Sequence, residues 1–476
     1  MTTFYFQPGP AGSGKTYQLA HWSIGRASAN EKVLITQPTK ELIRATANRI
    51  RALDPNIKVT TIYQRRANER VTARVLDHMK QAAPHHGEVL LITHETLKRL
   101  PENMRQFWHM VCDEVPSVLE HIDLRIAKTH HIVTDYIDAS EQIGDGLIAL
   151  QVADRGALEA VQVNETKDQN VGSFERLVSV LLSGDHVVFI SKKQWDDLTT
   201  NPAHTGHVDF FSVLTADFVK GYMSTTFMGA NIEETELFVL WSATQDINWL
   251  PHPDMSNLLR YVKHQNGKRL TIGYLFDGKL SKRFLEQEDD EGLTMFDQVA
   301  KFVAQYFAGT TFLWQANKDA MPAAFDFADR LPGVAHGLDK DEWKSVHNVA
   351  LLSAMNRKSA AYGFLKSLGI SNEQAQATLS YQNDYQAMMR CSLRDPNAIA
   401  PVRVIVGSKE GAEWIAAKFD GCTVEPLEHS MGEPSKAGRP EGTTRGGKTA
   451  SERGLEHRKR QKEAREALAR QRAQNN

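Results

Sequence analysis

The chain has 476 residues, with 56 Lys/Arg against 58 Asp/Glu and a net charge of −2. Its hydrophobic content of 41% and charged content of 24% are those of an ordinary globular protein of two or three domains. No apolar run approaches the roughly 18 residues of a membrane-spanning helix, which excludes that class.

The near-neutral total hides an asymmetry. Residues 431–476 hold 12 Lys/Arg against 6 Asp/Glu, a local +6, so the rest of the chain carries −8. A basic arm on an acidic body suggests an electrostatic contact with a polyanion. Three scattered cysteines, Cys112, Cys391 and Cys422, form no C-x-x-C pair. They argue against a zinc site or a disulfide framework and for a reducing cytoplasm. The pairs His85-His86 and His130-His131 read as surface residues, since neighbours point apart on any regular element.

The first element is the β-branched and aromatic "TFYF" at residues 3–6, which reads as a buried strand. "QPGPAGSGKT" follows, and Gly9 to Thr16 fit G-x-x-x-x-G-K-[ST] in full. A helix beginning at Lys15 completes the strand–loop–helix context of a phosphate-binding loop. Gly9, Gly12, Ser13 and Gly14 would let backbone N–H groups curl around phosphate oxygens, and the helix N-terminus adds partial positive charge. Lys15 would reach the β- and γ-phosphates of ATP, and the Thr16 hydroxyl would ligate Mg²⁺. Two further strand–turn–helix units follow. "KVLITQPTKEL" turns at Pro38-Thr39 and "EVLLITHETLKRL" at Thr93-His94. Loops at the carboxyl ends of parallel strands line one edge of a sheet, so these four residues are candidates to grip a sugar-phosphate chain. "FWHMVCDEVP" then ends an apolar run in Asp113-Glu114. A carboxylate at a strand's carboxyl end is placed to hold Mg²⁺, and the next one to polarise an attacking water. With the loop upstream, the pair predicts hydrolysis as well as binding.

This series resembles a superfamily 2 helicase of the DEAD/DEAH type, most like divergent bacteriophage members, over about residues 3–425. "QPTKEL" resembles motif Ia, "THETL" motif Ib and "CDEVP" motif II. No Q motif is expected, since few residues precede the loop. For motif III, Gly229-Ala230-Asn231 after a β-branched run is preferred to Ser242-Ala243-Thr244, which helical spacing places near a helix end. Residues 118–222, between motifs II and III, alternate strands with a helical stretch and read as an inserted subdomain, either a wedge or clamp for nucleic acid or a structural elaboration. "RLTIGYLF" opens a second domain. "GTTFLWQANKDA" resembles motif IV, with Gln315, and "VHNVALLSAMNR" motif V, with Ser353 and Asn356; all three are candidate nucleic-acid contacts. "SYQNDYQAMMRCSLRDP" resembles motif VI. A continuous helix there would put Gln386, Arg390 and Arg394 on one face, aimed at the γ-phosphate, with Arg390 favoured over Arg394.

The resemblance implies an α/β fold of two tandem RecA-like domains, each a mostly parallel sheet with helices on both faces. The expected bounds are 1–255 for the first, with its insertion, 256–428 for the second and 429–476 for a flexible basic tail. That tail carries a Gly438-Arg439-Pro440 core like an AT-hook and a capping box at Thr449 and Glu452. The implied activity is an ATP- and Mg²⁺-dependent helicase or translocase, acting as a cytoplasmic monomer on single-stranded, duplex or branched DNA, with RNA as the second choice, beside replication or recombination proteins. A packaging-type ATPase-nuclease and a non-unwinding ATP switch are the alternatives.

Overall fold

The computed structural model describes residues 2–434 except 67, 83–84, 127–128, 144–145, 201–206, 256–258, 319, 321–324, 326–327 and 332–340. The AT-hook and capping-box expectations therefore lie outside the described residues.

The first sheet has seven strands in the order β12-β1-β11-β5-β2-β4-β3, all parallel. They are β1 (Thr2–Gln7), β2 (Lys32–Gln37), β3 (Val59–Thr61), β4 (Glu88–Thr93), β5 (Trp108–Asp113), β11 (Ser224–Met228) and β12 (Ile247–Pro251). All six residues of β2 and all six of β5 are buried, as expected for parallel strands covered by helices on both faces. On one face the helices Lys15–Ser28 and Lys40–Leu53 bury Leu19, Ile43, Ala47 and Ile50 against Val33, Ile35 and Val111. Register places Met228 beside Asp113, Gln7 beside Met228, and Gln37 beside Thr93. The carboxyl ends of these strands thus share one edge.

Between β5 and β11 lies a separate antiparallel sheet, β6-β10-β9-β8-β7. Its strands are β6 (Leu119–Leu124), β7 (Ile137–Ile143), β8 (Leu147–Val152), β9 (His186–Ser191) and β10 (Val208–Leu214). Both faces are covered, and the period-2 alternation decides which residue goes where. Ile148, Val188, Ile190 and Phe210 pack with the helix Glu175–Leu182. Leu147, Phe189, Phe211 and Val213 face the other way, into a cluster that includes Phe364 and Leu365. The Phe211 and Phe364 rings stack at 4.4 Å between centroids. His130 is buried rather than on the surface, with Nδ1 2.9 Å from the Thr134 hydroxyl, whereas His131 is exposed.

The second parallel sheet runs β15-β14-β16-β17-β13-β18. It comprises β13 (Leu270–Phe276), β14 (Phe312–Gln315), β15 (Ala328–Arg330), β16 (Asn348–Leu351), β17 (Val402–Ser408) and β18 (Thr423–Pro426). The chain is therefore an α/β protein with two RecA-like domains. Among the described residues, no helix is long and apolar enough to cross a membrane.

Candidate nucleotide site between the two parallel sheets

The phosphate loop leaves β1 at Gln7 and enters its helix at Lys15. Gly9, Gly12 and Gly14 adopt φ of 146°, 80° and 92°, values that side chains disfavour, so glycine is required at these bends. Gly14 caps the helix in the left-handed region without a side-chain cap, and its carbonyl accepts from Tyr17 and Gln18 N–H, both at 3.0 Å. Lys15 is buried, and its ammonium donates to the carbonyls of Gly9 (3.0 Å) and Pro10 (2.7 Å). Burial lowers its pKa to about 8, against the pull of Glu114 and Asp113.

Asp113 ends β5 and is 3% exposed. Burial, reinforced by the charge of Glu114, pushes its carboxyl up to about 7; hydrogen bonds from Gln37 and Thr16 and the charge of Lys15 pull the other way. The Gln37 amide donates to Asp113 Oδ2 at 2.7 Å and to the Thr46 hydroxyl at 2.8 Å. Glu114 adopts φ 64°, a strained left-handed conformation for a non-glycine residue, at the turn where β5 ends. The Thr16 hydroxyl and the Asp113 carboxylate are adjacent oxygen donors of the hard type Mg²⁺ prefers. Among the described residues, no cluster of three His, Cys, Asp or Glu could hold a metal by itself.

Gly229 and Ala230 leave β11, the strand between β1 and β5, and Asn231 follows at φ 48°. Ser242, Ala243 and Thr244 lie at the end of the helix Glu236–Thr244. Asn231 meets the second domain directly: its carbonyl accepts from the Gln382 amide at 3.2 Å. Ala230 packs in the second domain's core cluster, and Ala11 of the phosphate loop lies against it.

The second domain also reaches the loop. Ala11 N–H donates to the Tyr385 hydroxyl (2.8 Å), which lies 2.7 Å from His264 Nε2. Burial lowers the His264 pKa to about 4, so the imidazole is neutral and can accept from Tyr385. From the segment joining the two sheets, Tyr261 donates its hydroxyl to the Ala11 carbonyl (2.9 Å), and Arg260 N–H donates to the Ser13 carbonyl (2.9 Å). A side chain at Gly12 would meet Tyr261 Oη at 2.6 Å and Arg394 Cγ at 3.1 Å.

The expectation for Gln386, Arg390 and Arg394 is corrected. The helix runs only Gln382–Met388, so the three do not share one helical face. Arg390 and Cys391 N–H instead reach back three residues, to the Ala387 and Met388 carbonyls, and Ser392 N–H donates to Val346 O. These bonds tighten and divert the chain before Pro396. Gln386 and Arg390 are each 9% exposed, and Arg394 falls in the 3₁₀ turn Ser392–Arg394. It is Arg394 whose charge acts on Lys15 and whose side chain lies beside Gly12.

Three of the expected nucleic-acid contacts, His94, Gln315 and Ser353, are buried. His94 has Nδ1 3.0 Å from the Thr36 hydroxyl, and Gln315 accepts from the Asn383 amide at 2.8 Å. Thr39 caps the Lys40–Leu53 helix by accepting from Leu42 N–H, beside the half-buried Pro38. Thr93 lies 3.0 Å from the Thr96 hydroxyl, Ser353 is buried, and the exposed Asn356 donates to the Leu280 carbonyl. Sequence reasoning missed Gln37, Tyr261, His264 and Tyr385. Only Gln37 carried a local signal, as the last residue of a strand that ends at the same edge as Asp113.

Residues 6–143 match the family model for DEAD/DEAH box helicases. A search of curated proteins gives no match. Among solved structures, an XPD helicase aligns over 89% of this chain and 96% of its own, at 10% identity and TM-score 0.47. S. cerevisiae Dbp5 bound to RNA and ADP BeF3 aligns over 90% and 85% at 11% identity and TM-score 0.37. Mss116p bound to ssRNA and AMP-PNP aligns over 90% and 72% at 9% identity and TM-score 0.34. The phosphate loop and the acidic pair both fall within the matched residues 6–143, and the DEAD/DEAH box helicase family that this part of the chain resembles is one of NTP-hydrolysing helicases.

Proposed function

We propose that the protein is an ATP-dependent nucleic-acid motor, a helicase or translocase that couples hydrolysis between its two parallel-sheet domains to movement along DNA. The observation that carries this reading is the meeting at one loop of Lys15, the Asp113–Glu114 pair and second-domain residues Tyr385 and Arg394. A site whose two halves come from separate domains is completed by closure and relaxed by release.

In this reading domain one spans 1–255 and domain two 256–428. Gly9, Gly12, Ser13 and Gly14 bind phosphates through their backbone, and Lys15 neutralises the terminal ones. Thr16 and Asp113 would hold Mg²⁺, which supplies charge neutralisation on the phosphates when bound. Glu114 accepts the proton of the attacking water. Arg394 reaches the developing charge from the other domain. Gly229, Ala230 and Asn231 pass the change to the Gln382–Met388 helix. DNA is the proposed track, with RNA as the competing one, and the likeness to bacteriophage members belongs to the same proposal.

The test is ATP turnover by the full chain with no nucleic acid, single-stranded DNA, duplex DNA, forked DNA and RNA. Stimulation by DNA supports the motor. Stimulation by RNA alone reassigns the track, and no stimulation by any of them overturns the proposal.

A further inference from the structure

The segment 40–74 contains nine Lys/Arg and three Asp/Glu, a local +6 in a chain of net −2. Its helix Lys40–Leu53 lies beside β3, the edge strand of the first sheet. The helix runs antiparallel to β3 along that edge. At one end Arg51 donates to the Val59 carbonyl (2.9 Å), and at the other Arg44 Nε donates to the Tyr63 hydroxyl (3.0 Å). Arg44 and Arg65 each lie over the Tyr63 ring, at 5.5 and 5.6 Å from its centroid. The helix and the loop after β3 are thereby locked together.

The acidic residues of the segment do not neutralise this charge. Glu41 approaches Arg44 at 3.9 Å and Glu69 approaches Arg74 at 3.4 Å, while Lys58 pairs with Glu88. Among the described residues, no ion pair engages Lys40, Arg49, Arg66 or Arg70, and the three arginines are exposed. Such concentrated charge on a rigid helix raises self-repulsion unless a polyanion covers it.

The geometry points to a phosphodiester-binding surface for duplex nucleic acid, outside the cleft between the domains. The inference rests on the nucleic-acid motor reading and adds a second contact to it. Its aromatic content decides between duplex and single strand. Tyr63 is 5% exposed and its ring is covered by two guanidinium groups, so no face remains on which an unpaired base could stack. Backbone phosphates remain as the partner.

The test uses the full chain carrying R49E and R66E together, neither residue belonging to the nucleotide site. Binding of a labelled duplex and a labelled single strand is measured from low to high KCl. The expected result is a duplex affinity weakened about tenfold or more at low salt, with a slope of log K against log salt shallower by about 1.8, two contacts at about 0.9 each. Single-strand affinity and turnover without nucleic acid stay at the wild-type level. The neutral pair R49Q and R66Q should show the same slope change, which separates lost contacts from misfolding. An unchanged duplex slope in both variants overturns the inference. Equal loss for duplex and single strand overturns the duplex assignment, since the surface would then belong to the tracked strand's path. A wild-type chain that binds neither nucleic acid overturns the motor reading itself.

Discussion

Glu236 should be the residue through which the first domain, its inserted sheet and the second domain hold one another. One carboxylate oxygen accepts from the Ser117 hydroxyl (3.0 Å) and from Val118 and Leu119 N–H (3.3 and 3.2 Å), where the chain enters the inserted sheet. The other accepts from Arg357 Nη2 at 2.7 Å, just after β16 of the second domain. The two side chains are 15% and 10% exposed, so water screens the pair weakly. Glu236→Gln keeps an acceptor for the two N–H groups and removes the charge. Arg357→Met removes the cation while keeping much of its apolar stem. A charge-assisted hydrogen bond in this setting contributes about 1.5–3 kcal/mol, whereas an exposed pair contributes about 0.2–1 kcal/mol. A double-mutant cycle on urea midpoints should therefore return a coupling of about 2 kcal/mol. Turnover should fall in both single variants, because Glu236 lies just after the Gly229–Asn231 segment and Arg357 just after Asn356, the segments proposed to link the nucleotide site to its track. A coupling below about 0.5 kcal/mol would refute the argument, because the contact would then act as a surface pair.

Lys15→Ala should abolish ATP hydrolysis while leaving the circular-dichroism spectrum unchanged; wild-type turnover would sink the loop assignment. Arg394→Ala should lower turnover by about 10³ or more with little change in ATP affinity, and Arg394→Lys should rescue it poorly because a point charge cannot reproduce the planar fork. Arg390→Ala should do less, and the reverse ranking would return the role to Arg390. Tyr385→Phe frees Ala11 N–H from its present acceptor, so ADP affinity by calorimetry should rise about five- to tenfold, the value of one hydrogen bond; weaker binding would show that the tyrosine supports the bound state instead. For Glu88, burial raises the carboxyl pKa, but the hydrogen bonds from His78 and Lys58 outweigh it and hold it at about 2, below the ordinary 4.5. Its stabilising contribution is complete above about pH 4.5 and lost as pH falls toward 2. Glu88→Gln also leaves the buried Lys32 without its carboxylate, so it should cost about 3–5 kcal/mol at pH 7 and flatten the urea midpoint between pH 4.5 and 2. An unchanged profile would contradict the pairing.

The sequence by itself determined what is written in short windows. The phosphate loop, the strand runs around it and the Asp113–Glu114 turn are each set within about fifteen residues by glycine spacing, β-branching and period. Parallel pairing followed too, because a strand buried on both faces reads as an unbroken apolar run, as in Val33–Ile35 and Met110–Cys112. Tertiary structure decided which strand ends stand side by side. Inserting β11 between β1 and β5 brings Met228 beside Asp113, although 115 positions separate them. The Ala11–Tyr385 bond spans 374 positions and the Arg357–Glu236 bond 121, and no periodicity links residues so far apart. Where the Gln382–Met388 helix stops was equally hidden. Its end depends on bonds such as Ser392 N–H to Val346 O, made to another strand's connection rather than to any glycine or proline within the helix. That single turn moves Arg394 to the phosphate loop. A helix end fixed by a distant carbonyl is a property of the packed chain and leaves no mark on the local sequence.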